Sequence, residues 1–198
     1  MRRRTLLLGG AVAVAIACAG VVGWRAIPYV PPSGAAPRPA SVARETAYVE
    51  RWWQHRNPAY GSFGGTDCVN FTSQALHARG WPMTAAWGTS TVLGRRAATR
   101  SWVSSTAMMR WLGTRPDLAT AVDDRHRDEV AVGDVAQFDW DASGDRDHTA
   151  VVTAVPHESG RTVVEVAEHS PAGLHDSVDG LIAAHGGRGV VHYWHLRA

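Results

Sequence analysis

In the run DCVNFTSQALHARGWPM, apolar side chains recur at Cys68, Phe71, Ala75 and Leu76, about 3.6 residues apart, and Gly80 and Pro82 punctuate its end. The spacing predicts a helix over 68–79, and Asp67 is placed to cap it. An earlier helix is expected from a cap at Ser41 to about Gln54, with Val42, Val49, Trp52 and Trp53 among its apolar positions. The turn-rich stretch NPAYGSFGGT then delivers the chain to Asp67. A further helix is expected from Ser104 or Ser105 to Leu112. Beyond Val130 the period changes. Apolar positions alternate in AVGDVAQFDW, HTAVVTAV, RTVVEVAEHS and VVHYWHL, which predicts three or four antiparallel strands, with a loop or short helix across 171–188. Helices first and strands after predict an α+β domain with its N-terminal helices packed on an antiparallel β-sheet.

Two segments of different character stand ahead of this domain. Residues 1–24 join an arginine cluster to a Gly/Ala/Leu/Val-rich run of about 19 residues, a length between that of a signal-peptide core and a membrane span. Export signal and retained membrane anchor are both open readings. Arg3 and Arg4, followed by Thr5, Leu6 and Leu7, resemble a twin-arginine signal. Ala15, Ile16 and Ala17 before Cys18 make a small-residue cleavage site and a poor lipid-attachment box. Residues 25–43 carry Pro28, Pro31, Pro32, Pro37 and Pro39 among Ala, Ser and Gly, the composition of an extended, semi-rigid spacer. The folded domain is expected over 44–198.

Composition narrows the function classes. The 198 residues carry a net charge of +2, but Arg2, Arg3, Arg4, Arg25 and Arg38 all precede the domain. From residue 44 onward 15 arginines stand against 18 acids. A mildly acidic body gives no reason to expect nucleic acid as a partner.

Cys68 is the only cysteine beyond the N-terminal apolar segment. In an exported chain an unpaired thiol belongs to no intramolecular disulfide framework, so chemistry or burial must account for it. At the first turn of a helix, free amides and the helix dipole stabilise an anion, lowering a thiol from about 8.5 toward about 3.5–7.5 when a cation helps. The same amides are suited to an oxyanion. The alternative is an inert, buried thiol. A thiolate nucleophile needs a base, and His148, at the start of a strand, is the candidate. If the turn before the next strand centres on Glu158 and Ser159, His148 falls opposite His169, which would orient its ring.

These motifs, with NPAY ahead of Asp67, Trp87, SWV at 101–103, GDVAQFDW, DHTAVVT and EHSP in order, resemble the putative amidase domain family over about residues 44–196. That family belongs with the papain-like cell-wall hydrolases of the NlpC type, which include the CHAP-type amidases. The resemblance implies a papain-like fold with Cys68 as nucleophile, His148 as general base and His169 as polar third member. It gives Asp67 and Asn70, in the DCxNF pattern, a site-shaping role. The glutamine that papain places six residues before its cysteine is replaced by Ser62, which leaves the second oxyanion donor open.

The expected function is therefore an exported cysteine-dependent amidase or peptidase acting on peptidoglycan or its peptides, monomeric and without a cofactor. One alternative is a non-catalytic wall-binding module on the same fold. Another assigns Cys68, His148 and His169 to zinc. Asp139, Asp141, Ser143, Asp145 and Asp147 have the spacing of a calcium loop, but Ala150 stands where the bidentate glutamate belongs, and a solvated acidic turn is the favoured reading. Its carboxylates would favour the charged form of His148. Among the tryptophans, Trp87 and Trp140 are expected to line a substrate groove.

Overall fold

The computed structural model describes residues 39–197; the apolar segment at 1–24, including Cys18, and most of the proline-rich spacer lie outside the described residues. Helix α1 (Ala40–Trp52) starts where the Pro39 carbonyl accepts the Ala43 amide at 3.0 Å. Pro39 thus occupies the cap position expected for Ser41, which lies inside the first turn. A 3-10 turn, Gly64–Thr66, runs straight into α2 (Asp67–Arg79). Asp67 already has helical dihedrals, φ −71° and ψ −23°, so it is the first residue of α2 rather than its cap. A small hairpin of β1 (Thr89–Val92) and β2 (Arg95–Ala98) precedes α3 (Arg100–Val103) and α4 (Ser105–Gly113), whose cap is Ser104.

The rest of the described chain builds the sheet: β3 (Ala119–Asp123), β4 (Val135–Asp139), β5 (His148–Ala154), the two-residue strands β6 (His157–Glu158) and β7 (Arg161–Thr162), β8 (Glu165–Glu168), β9 (Gly173–Ser177), helix α5 (Val178–Ala184) and β10 (Val190–Leu196). Six of these strands form one antiparallel sheet in the order β3-β10-β4-β5-β8-β9. The α+β class follows directly. The sheet is wider than the three or four strands expected because β3 and β9 are its edges. Thr120 and Ala121 of β3 are exposed and Leu174–Ser177 of β9 are half-buried, so neither shows the apolar alternation that marks an interior strand.

Alternation along the central strands divides the core. Val151 and Ala167 face Phe71, Ala75 and Val49, which seats α2 and α1 on one side. Ala136, Phe138, Ala150, Val152, Val166, Val191 and Tyr193 face the other side, where Val178 of α5 joins them. At one end Trp81, Trp87, Trp102, Met108 and Leu112 gather around Val135, Trp194 and Leu196. Helix α2 is buried at every position from Asp67 to Leu76, not along one stripe. Most of its polar side chains are accordingly bonded: Ser73 donates to the Trp102 carbonyl at 3.2 Å, and Arg79 pairs with buried Glu45 at 2.7 Å, whereas the buried Thr72 hydroxyl has no hydrogen-bond partner among the described residues.

Candidate active site

Cys68 is the second residue of α2 and His148 the first of β5, and the packing of α2 across β5 brings them together at 6% and 8% exposure. The imidazole Nε2 lies 2.6 Å from Glu168 Oε2 at the end of β8. That leaves Nδ1 as the ring nitrogen free for the Cys68 thiol, whose interaction with the imidazole shifts both groups. Glu168, not His169, is therefore the orienting partner of His148.

The register explains the difference. The hairpin turns on Ser159 and Gly160, both at positive φ (51° and 78°), with Glu158 paired to Arg161. Two left-handed residues in a two-residue loop match the twist of the flanking strands, and glycine takes the second position without strain. A register shift follows between Val152 and Ala154, and the strands then pair Val152 with Val166 and Val151 with Ala167. Relative to a turn on Glu158 and Ser159 this is a slip of one residue, and a slip of one exchanges the faces. His148, Ala150 and Val152 share a face with Val166 and Glu168; His169 goes with Ala167 to the α2 side.

There His169 stacks on Phe71 with ring centroids 4.0 Å apart. Its Nδ1 is 3.0 Å from Asp67 Oδ2, and its Nε2 donates to the Trp52 carbonyl at 2.9 Å. Both nitrogens are thus engaged away from His148, so Cys68, His148 and His169 do not converge as a zinc set. Asp67 also accepts from Arg56 at 2.9 Å and from Asn70 at 3.1 Å. Asn70 in turn donates to the Gly61 carbonyl at 3.0 Å and accepts from Trp102 Nε1 at 2.9 Å. Asp67, Asn70 and His169 together fasten α1, the loop before α2, α3 and β8 to the helix that carries Cys68.

Electrostatics favour separated charge in the pair. Burial pushes the Cys68 thiol up, but the His148 hydrogen bond and charge, the Ser105 hydroxyl and the Thr149 amide outweigh it and hold the thiol below its ordinary value. Burial pushes His148 down, yet its bonds to Cys68 and Glu168 raise it to about 9. Such a site can hold a thiolate beside an imidazolium, a nucleophile and a proton donor together. The carboxylate that acts on His148 is Glu168 and not the acidic turn. In that turn Asp139, Asp141, Asp145 and Asp147 approach within 4.8 Å of one another, and Asp139 accepts the Ser143 and Gly144 amides at 3.0 and 2.8 Å.

The two tryptophans expected at a groove separate. Trp87 is fully buried and stacked on Trp111 at 5.2 Å, so it lines no groove. Trp140 is half-buried, with its ring 6.1 Å from that of His148 and stacked on His185 at 3.9 Å. Glu168, Ser105, Gln137 and Thr149 were not singled out by sequence. Glu168 carried a signal, since it adjoins His169 in EHSP and only the register decides between them.

Comparison with known proteins agrees in extent with the folded region. The chain is 34% identical over 109 residues to the uncharacterized protein YhbB of Bacillus subtilis (strain 168), covering 54% of this chain and 35% of that one. It is 28% identical over 114 residues to the uncharacterized protein YjcM of the same organism, covering 54% of this chain and 26% of that one. The aligned region thus spans only about a third and a quarter of these curated relatives. No solved structure matches the chain. The putative amidase domain matches residues 40–193, a span that contains the whole six-stranded sheet except the end of β10 and every residue of the site, and the chain belongs to that family.

Proposed function

We propose that this protein is an exported cysteine-dependent amidohydrolase of papain-like architecture, cleaving an amide bond in peptidoglycan or in peptides derived from it. The observation that carries the reading is the buried group of Cys68, His148 and Glu168, in which Glu168 takes Nε2 of the ring, leaves Nδ1 free, and the thiol and imidazole shift each other toward the charged forms. A nucleophile at the head of a buried helix, with its base on a strand beneath it, supports the papain-like assignment. Membership of an amidase family supports the bond type, and the arginine-led apolar N-terminus supports export.

In this reaction the Cys68 thiolate attacks the amide carbonyl, forming the S–C bond. His148 gives its proton to the nitrogen as the C–N bond breaks, and the amine leaves. Water then attacks the thioester while the neutral His148 takes its proton; the S–C bond breaks, releasing the acid and restoring the thiolate–imidazolium pair. Glu168 fixes the ring and balances its charge in both steps. A wall-binding module would have no use for a thiol held below its ordinary range.

The test is digestion of purified peptidoglycan, with released fragments identified by mass spectrometry. Wild-type protein is expected to release fragments carrying a new carboxyl and a new amine, and Cys68→Ala to release none. Equal release by both proteins would contradict the proposal.

A further inference from the structure

Behind Cys68 lies a buried row of hydrogen bonds whose direction can be worked out atom by atom. The Trp194 indole N–H can only donate, and it lies 2.8 Å from Gln137 Oε1. Gln137 therefore presents its amide nitrogen to the Ser105 carbonyl at 2.9 Å, which can only accept, and to Thr149 Oγ1 at 3.1 Å. Two one-way partners fix the same orientation of this amide. Thr149 passes its own proton to Ser105 Oγ at 2.9 Å. Ser105 has one proton left to place, and Cys68 Sγ stands 3.9 Å from its oxygen.

We propose that Trp194, Gln137, Thr149 and Ser105 form a proton-ordered strut that ends in a Ser105 O–H donated to the Cys68 sulfur, making Ser105 a further residue of the reacting centre and the other three its positioning residues. The proposal rests on the hydrolase reading for its purpose. A sulfur forced to accept from Ser105 is stabilised as the thiolate and keeps its remaining lone pairs for His148 and the substrate. Gln137 and Thr149 are fully buried and Ser105 nearly so, which keeps water from reordering the row, and serial donation strengthens each bond. The row ties β10, β4, β5 and α4 to α2, so the sulfur is set by the core and not by the loop ahead of the helix. The groups that face it are His148 from β5, with Glu168 of β8 behind, and the uncharged Ser105 from α4; β4 and β10 contribute only Gln137 and Trp194 to the row, and Asp67 is turned to Arg56 and His169.

The test is the rate of Cys68 alkylation by iodoacetamide as a function of pH, which reads the thiolate without any substrate. Ser105→Ala is expected to move the midpoint up by about one unit, so that alkylation well below the midpoint slows about tenfold. Thr149→Val, which leaves Ser105 in place but removes its donor, should move it up by a smaller step, and Thr149→Ser should return it. A Ser105→Ala profile superimposed on wild type overturns the proposal. Should Ser105→Ala not fold, as judged by its near-ultraviolet circular dichroism, the Thr149 pair decides, and superimposed Val and Ser profiles overturn it. The hydrolase reading is judged separately by peptidoglycan turnover in Cys68→Ala, so either can fail alone.

Discussion

His148 stands between a thiol and a carboxylate, and both favour its proton, which outweighs the cost of burying the charge and holds it up to about 9. Cys68 is shifted the opposite way, below the ordinary thiol value. The sign of the pH dependence follows. Below the lowered thiol value the sulfur is protonated and attack is slow; activity rises as the thiolate forms. It then holds until the pH approaches 9, where the imidazolium loses the proton needed by the leaving amine. In the proposed reaction a steady-state pH profile should therefore rise at a lower pH than an ordinary thiol would give and fall near 9, and activity still climbing through pH 9 would contradict the assignment of His148 as proton donor.

Helix α2 and strands β4, β5, β8 and β10 were legible in the sequence as apolar runs bounded by turn residues, since each is largely buried. What could not be read was the register of β5 against β8, which depends on a turn at Ser159 and Gly160 and on a shift between Val152 and Ala154. Nothing in the apolar pattern specifies either, since Val163 and Val164, then Val166 and Ala167, offer apolar side chains to both faces. That one-residue ambiguity is the whole difference between Glu168 and His169. Close approach of elements was equally hidden. Gly133, at φ +89°, lies where α1 and α2 meet the sheet, and an added Cβ would sit 2.9 Å from both Arg79 Nη1 and Glu45 Oε2. Neither side chain can retreat, because the pair is buried and bonded. Gly133→Ala should lower stability by about 1–3 kcal/mol, measured by urea denaturation, and an unchanged midpoint would contradict this packing account.

For the molecule as a whole, the sheet and its helices divide the DCVNF and EHSP motifs into two sets with different duties. In the proposed function Cys68, His148 and Glu168 carry the chemistry, while Asp67, Asn70 and His169 hold the helix that bears Cys68 in place. The two sets interleave residue by residue, which is why one cannot be told from the other until the strands are in register. Activity and melting temperature measured together on two variants separate them. Glu168→Gln should keep its melting temperature within a few degrees of wild type and lose about 10²–10⁴-fold in kcat. His169→Gln should lose about 1–3 kcal/mol of stability, through its bonds to Asp67 and Trp52, and keep most of its kcat when folded. The reverse result, an inactive but stable His169→Gln beside an active Glu168→Gln, would contradict the Cys68–His148–Glu168 site.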